Sequence, residues 1–395
     1  MILKKVLLKP LSGIKGKNGF SMSGISVRKV VSNNDLKKFV DFPFRLFRDH
    51  KFWVPPLKFD EINTLRRDKN PAFEYCEAEY WLAFRDHKPV GRIAGIINHK
   101  ESERWNNKLV RFGWIDFIDD EEVSRVLIET VIDWGGAKGM NGIHGPLGFT
   151  DMDPEGMLVE GFDEISSLSA IYNFPYYNDH LQKLGFKKAT DWLQLEIKVP
   201  ANIPEKVERM TKLVLQKYDL RLLHPRKAKD ILPYAPKMFT MYNDAFRDLY
   251  GFTTLTKKQM DYYTKQYFGF INPAFVSLVI DSKDNVVGFG VTLPSLSIAL
   301  QKANGSLFPF GFIHLLRALR KNDTVDMYLV GVRPDYQGKG LLALVYHELT
   351  KAYIEAGIKI TRTHPQLEDN FKALSIWKNY DGRVNIRRRC WIRDI

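Results

Sequence analysis

Cysteine is almost absent from the chain. Cys76 and Cys390 are the only two in 395 residues, which excludes a disulfide framework and any cysteine spacing for a structural metal and points to a reducing compartment. Long apolar runs are missing as well. No stretch reaches the ~18 uninterrupted apolar residues of a membrane-spanning helix. Near the N-terminus, Lys4 and Lys5 precede Val6-Leu7-Leu8, and Lys9-Pro10 ends that run, too soon for a signal-peptide core. Acid is missing from whole segments. Residues 1–34 carry seven Lys/Arg and residues 285–322 carry four, with no Asp or Glu in either. Neither the strict dinucleotide fingerprint Gly-x-Gly-x-x-Gly nor the nucleotide P-loop spacing occurs, so hydride and phosphoryl transfer lose ground.

What remains is a soluble composition, 45% apolar and 27% charged, in a chain long enough for two domains. Its 26 Phe, 17 Tyr and 8 Trp suit aromatic cores or apolar clefts. The net charge of +13 suits an anionic partner: a nucleotide-bearing cofactor, an acidic membrane surface or a nucleic acid. Surface Lys and Arg also serve solubility alone. The run Arg387-Arg388-Arg389 lies in a predicted strand, where neighbours face opposite ways. It is therefore not one patch, and no nucleic-acid partner is expected.

The pattern of elements repeats. Tyr80 to Asn98 reads as strand, turn (Asp86 to Pro89), strand, and Val110 to Phe117 as a further strand. An amphipathic helix opens at Asp119-Asp120-Glu121-Glu122 and carries Val123, Leu127, Ile128, Val131 and Trp134 at helical spacing. The same order returns as strand Phe275 to Asp281, strand Val286 to Thr292, strand Val325 to Val332, a helix over Leu341 to Ala356, strand Ile358 to Thr363, a helix through Ile376 and strand Asn385 to Ile392. Val90-Gly91 matches Val287-Gly288, and Gly185 matches Gly382, both 197 residues apart. The reading is an α/β chain with mixed sheets, divided into a flexible basic tail 1–26, a first domain 27–200 and a second 201–395, with the break at the two prolines of Val199 to Pro204.

The chemistry-bearing segment is Val332-Arg-Pro-Asp-Tyr-Gln-Gly-Lys-Gly-Leu-Leu342, between a predicted strand and a predicted helix. Gly338 and Gly340 permit a tight turn with no Cβ in the way. The helix start behind them offers unpaired N–H groups and a positive dipole end, a seat for a pyrophosphate. Lys339 adds a mobile positive charge.

This loop resembles the acyl-CoA loop of the GNAT (Gcn5-related N-acetyltransferase) superfamily, whose pattern is Gln/Arg-x-x-Gly-x-Gly/Ala. Gln337 and Gly340 match; Leu342 stands at the last small position, with Ala343 beside it. Asn370 to Trp377 resembles the family's Asn-x-x-Ala-x-x-x-Tyr helix, with Trp377 at the Tyr position. The resemblance implies two tandem GNAT-like domains, like those of a bacterial acyltransferase subgroup with a ceramide-forming branch. It implies acetyl-CoA or a longer acyl-CoA as co-substrate, and no metal. Val330, Val332, Gln337, Gly338, Lys339, Gly340, Leu341, Leu342 and Asn370 would hold the donor. Glu368, His364 and Asp326 are candidate bases. Tyr380 is the candidate proton donor, since the Trp377 indole is no practical acid and packs as core.

The first domain is expected to be degenerate, because four acids at its strand-to-helix junction repel pyrophosphate. Its insertion Gly145 to Asp163 would cover the acceptor site, with Asn173, Tyr176 and Tyr177 as acceptor-site residues. The acceptor implied is a small-molecule or lipid amine. The apolar and basic segment 285–322 suits either an interfacial or gating element or a buried insertion against the other half. The expected location is cytoplasmic, extending to peripheral contact with the inner membrane face. The rival reading is a non-catalytic acyl-CoA sensor or scaffold.

Overall fold

The structure, a computed structural model, describes residues 24–395; the basic tail expected at 1–26 lies outside these up to residue 23. The first half runs β1 (Ile25–Lys29), α1 (Asn33–Leu46), α2 (Lys58–Leu65), β2 (Cys76–Arg85), β3 (Lys88–Asn98), α3 (His99–Trp105), β4 (Leu109–Phe117), α4 (Glu121–Gly136), β5 (Gly142–Gly145), β6 (Met157–Glu160), α5 (Tyr176–Lys183) and β7 (Lys187–Lys198). The second runs α6 (Glu205–Lys217), β8 (Leu220–Leu223), α7 (Ala235–Phe246), α8 (Lys257–Tyr267), β9 (Val276–Asp281), β10 (Val286–Pro294), α9 (Ser297–Ala303), α10 (Gly311–Arg320), β11 (Thr324–Val332), α11 (Leu341–Glu355), β12 (Ile360–Arg362), β13 (Gln366–Leu367), α12 (Phe371–Leu374) and β14 (Gly382–Asp394).

The repeat read from the sequence is real in three dimensions. Gly91 pairs with Phe117 at the end of β4, and Gly288 pairs with Val332 at the end of β11. Both glycines sit under the helix that follows. A Cβ on Gly91 would come within 2.7 Å of Leu127, and one on Gly288 within 3.3 Å of Val345. The missing side chains let α4 and α11 settle on the sheet and bury Val123, Leu127, Ile128 and Val131 in one half, and Leu344, Val345 and Leu349 in the other. Each such residue is worth roughly 1.5–3 kcal/mol of burial.

One sheet spans both halves, in the order β1-β2-β3-β4-β5-β14-β7-β12-β11-β10-β9-β8. The halves exchange their last strands. β14, from the second half, pairs antiparallel with β5 of the first, through Trp391 to Asp394 against Gly145 to Gly142. β7, from the first half, pairs with β12 of the second. β7 and β14 pair with each other along most of their length. The exchange uses up the strand edges that two separate sheets would expose.

In both halves the parallel pair at the centre splays open. β4 and β5 pair only from Leu109 to Arg111, and β11 and β12 only from Thr324 to Asp326. The expected strand 358–363 is short at its end: the Thr363 N–H still meets the Leu195 carbonyl of β7 at 2.9 Å, but the Leu195 N–H goes to the Thr363 hydroxyl at 3.0 Å in place of a backbone carbonyl. The expected helix through Ile376 is one turn of α12 followed by a tighter turn over Ser375–Asn379. There the Ser375 hydroxyl donates to the Lys372 carbonyl at 2.9 Å, competing with the helix ladder.

Candidate active site

The loop leaves β11 at Val332, makes one tight turn over Pro334–Tyr336, and enters α11 through Gly338 (φ 74°) and Gly340 (φ 87°, the N-cap residue). Left-handed φ at both positions is what glycine alone adopts without cost. No side chain caps α11, so its first-turn N–H groups face outward unpaired, at the positive end of the dipole. Arg333 is committed to Asp335 (2.7 and 3.0 Å) and Asp281 (3.3 Å). Lys339 rests its ammonium over the Tyr218 and Tyr336 rings, 5.4 and 5.3 Å from their centroids. It pairs with no acid among the described residues and is the local cation left for a phosphate.

At the equivalent point of the first half the seat is filled from within. Asp120, the N-cap of α4, accepts from the Glu122 N–H (2.9 Å) and the Val123 N–H (3.3 Å), while Arg85 holds its other oxygen at 2.7 Å. The splay of this half is filled too. Leu147 donates its N–H to the Phe112 carbonyl at 2.9 Å, and a Cβ on Gly113 would lie 2.4 Å from the Leu147 carbonyl oxygen. In the first half, both the helix start and the gap between the strands are therefore occupied by the chain itself.

The segment that fills this splay, between β5 and β6, goes on to line a cavity of about 880 Å³ between the halves. Gln337, Gly338, Gly340, Leu342 and Ala343 form part of its wall; Asp151, Asp153 and Glu155 form another; Leu296, Leu300 and Leu315 from the 285–322 segment close an apolar end. That segment is a helical hairpin, α9 and α10. Its inner face packs on Val54 and Leu57 of the first half, as the buried-insertion alternative requires. Its outer face leaves Phe308 and Phe310 exposed by 78% and 69%.

Arg111 fixes the acidic wall. Its guanidinium donates to Glu101 (2.7 Å), the Gly148 carbonyl and the Gly251 carbonyl (both 2.8 Å), so it joins β4, the filling loop and the second half. Burial pushes the Asp151 carboxyl up to about 7 and the Asp153 carboxyl up to about 6, with Arg111 only partly opposing. Burial, then the charge of Asp151, drives Glu155 well above the carboxylate range.

Of the expected donor residues, Val330, Val332, Gln337, Gly338, Gly340, Leu342 and Asn370 line this cavity. Leu341 is buried in the core under α11. Asn370 spends its side-chain oxygen on the Ala373 N–H at 3.3 Å. The candidate bases separate. His364 lines the cavity, and its Nδ1 has no partner; burial lowers it to about 4, so the imidazole is neutral. Glu368 lies outside the cavity wall, ion-paired to Lys188 and, at 3.1 Å, to Arg387. Asp326 is buried at the point where β11 and β12 part, with neither carboxylate oxygen hydrogen-bonded. Trp377 is core as expected: 5% exposed, its ring tilted at 56° to that of Tyr346 with 4.6 Å between centroids, its indole N–H on Gln366 at 3.3 Å. Tyr380 packs against Trp377, 5.6 Å between centroids, outside the cavity wall. Two phenols line the cavity at the loop, Tyr336 within it and Tyr346 of α11; the sequence presents Tyr346 only as part of an apolar helix face.

The expected acceptor residues serve the first half's own fold. Asn173 bonds both the Leu158 N–H (2.7 Å) and the Leu158 carbonyl (3.2 Å). Tyr176 donates to the Phe117 carbonyl at 2.6 Å, and Tyr177 accepts from the Phe117 N–H at 3.1 Å. None of the three lines the large cavity. The arginine run is divided as its strand position predicts: Arg388 is buried, while Arg387 and Arg389 both bind Asp191.

No family model matches the chain. It is 28% identical over 337 residues to Protein YghO of Escherichia coli (strain K12), covering 84% of each chain. It is 29% identical over 321 residues to the bacterial ceramide synthase of Caulobacter vibrioides (strain NA1000 / CB15N), covering 79% of this chain and 82% of that one. Among solved structures, a tandem GNAT protein from the clavulanic acid biosynthesis pathway superposes with a TM-score of 0.54 at 10% identity, covering 94% of this chain and 98% of that one. The fold is therefore the tandem GNAT fold.

Proposed function

From the tandem GNAT fold as premise, we propose that the chain is an acyl-CoA-dependent N-acyltransferase with its donor on the second half and an amine acceptor in the cavity between the halves. One observation carries this reading. The uncapped start of α11, with its two left-handed glycines, opens into the same cavity as a set of half-buried carboxyls and an apolar pocket. The helix start offers amides to a pyrophosphate, and the cavity has the size of a small-molecule site. Here the enzyme would hold an amine and a thioester in register, which is most of what direct acyl transfer requires.

The apolar end favours a long acyl chain and a lipid amine, in line with the relative named as a ceramide synthase. The outer face of the α9–α10 hairpin favours work at a bilayer surface. Phe308 and Phe310 project, and the segment also carries Lys302, Arg317, Arg320 and Lys321 with no acid; exposed aromatics on a basic segment suit an anionic membrane. No helix among the described residues is long and apolar enough to cross one.

The test is thermal shift with acetyl-CoA and palmitoyl-CoA, followed by thiol release with primary amines. A donor at about a hundredfold excess over its Kd stabilises by about 2.7 kcal/mol. Palmitoyl-CoA is expected to raise Tm more than acetyl-CoA, with thiol released only when an amine is present. Donor binding without thiol release across an amine panel supports the sensor reading, which Trp377 in the family's tyrosine position favours. No shift with either donor contradicts both.

A further inference from the structure

In a chain of net charge +13, the cavity wall is acidic. Asp60, Glu61, Asp151, Asp153 and Glu155 line it, against Lys372 as the sole lysine or arginine. Three of these acids have structural work. Glu61 accepts from the Trp114 indole at 2.8 Å. Asp153 accepts from the Phe149 and Thr150 N–H groups at 2.9 and 3.0 Å. Asp60 lies in the first turn of α2, where the helix dipole favours a carboxylate.

Asp151 and Glu155 are different. Asp151 has a buried oxygen, Oδ1, with no partner, and so does the Tyr328 hydroxyl elsewhere on the same wall. The nearby cation, Arg111, is fixed by bonds from all three of its nitrogens to Glu101 and two carbonyls, and makes none to Asp151 or Glu155. Trp192 and Tyr242, each at most 6% exposed, add aromatic surface to the wall. Half-buried carboxyls facing a cavity with a single lysine in its wall, and aromatic rings elsewhere on that wall, are what an alkylammonium group replaces water on.

We propose that Asp151 and Glu155 form the seat of the acceptor's ammonium group, and that a carboxylate of this pair takes its proton. The half that cannot bind the donor thereby supplies the acceptor chemistry. The inference rests on the acyltransferase reading and deepens it. In the step, the ammonium gives one proton to the carboxylate. The neutral amine nitrogen attacks the thioester carbonyl carbon, and a C–N bond forms as the C–S bond breaks. The sulfur leaves as thiolate and receives the second nitrogen proton, and the carboxylic acid releases its proton to water. The groups that set the charge of the seat are Asp151, Asp153, Glu155, Arg111 and Glu101.

The experiment is isothermal titration of decylamine and decanol into the whole chain, with coenzyme A titrated separately, for the wild type and for the double variant Asp151→Asn/Glu155→Gln. The wild type is expected to prefer the amine by about tenfold or more near pH 8, and by less near pH 6, because burial raises the Asp151 carboxyl above its ordinary range. The double variant is expected to lose the preference and to keep its affinities for decanol and coenzyme A. Equal binding of amine and alcohol by the wild type, needing no variant to fold, overturns the proposal; so does a double variant that keeps the preference. Failure of coenzyme A to bind while the amine preference stands would instead remove the donor reading and leave the ammonium seat.

Discussion

Asp120 and Gly340 occupy the same position in the two halves, each the residue from which the helix after the splayed strand begins. Asp120 turns its carboxylate onto the first-turn amides of α4; Gly340 has no side chain to turn. One duplicated geometry thus gives a self-capped helix in one half and an open anion seat in the other.

Asp120→Ala should therefore be a stability variant and nothing more. Losing an N-cap costs about 1 kcal/mol, and the exposed partner Arg85 adds little. Urea denaturation measures the loss. Coenzyme A affinity should not change, since the proposed donor seat is at α11 and not at α4.

Glu101→Gln should be far more damaging. Glu101 is 3% exposed, and Arg111, with which it pairs, is fully buried. Removing one partner leaves a buried charge uncompensated, at a cost of about 3–5 kcal/mol. Because Arg111 also holds the Gly148 and Gly251 carbonyls, the acidic wall should loosen with it. Denaturant melts, together with hydrogen exchange at residues 146–156, would measure both effects.

The pH dependence of stability should have two opposed components. Burial lowers His144 and His364 to about 4, so below ~6.5 the unfolded histidines charge while the folded ones do not. Their contribution is present above ~6.5 and lost as pH falls toward 4. Asp151 runs the other way. Raised to about 7, it stabilises fully below the unfolded carboxylate range, and this contribution is lost as pH rises through 7. Asp151→Asn should therefore gain stability over the wild type on going from pH ~5 to ~8, and His364→Gln should flatten the loss between ~6.5 and ~4. Denaturation across this range reads both.

Phe308→Ser/Phe310→Ser should leave Tm unchanged, because both side chains are mostly exposed. The double variant should bind phosphatidylglycerol vesicles about tenfold more weakly than the wild type, and binding by either should fall with salt. Vesicle co-sedimentation decides it; equal binding by wild type and variant would remove the membrane contact.

The parts legible in the sequence are those with a local cause. Gly338 and Gly340 announce the turn, the spacing of Val123 to Val131 announces a buried helix face, and Gly91 and Gly288 mark the duplication. The strand exchange has no such signature. β7 and β14 pair across nearly two hundred residues, and nothing within either strand names its partner. The same distance misleads at Glu368, which reads as a free acid near the loop until Lys188 and Arg387 arrive from β7 and β14 to neutralise it. Asp151 and Glu155 sit in a segment legible only as a Gly- and Asp-rich cover. Their role depends on where the first half's splay directs that segment, which is a property of packing.

The most direct test of one open seat per chain is the stoichiometry of coenzyme A binding by isothermal titration, for the wild type, Asp120→Ala and Gly340→Asp. About one site per chain is expected for the first two and none for the last, in which a carboxylate stands where the pyrophosphate would. Two sites, or binding that survives Gly340→Asp unchanged, would contradict the account.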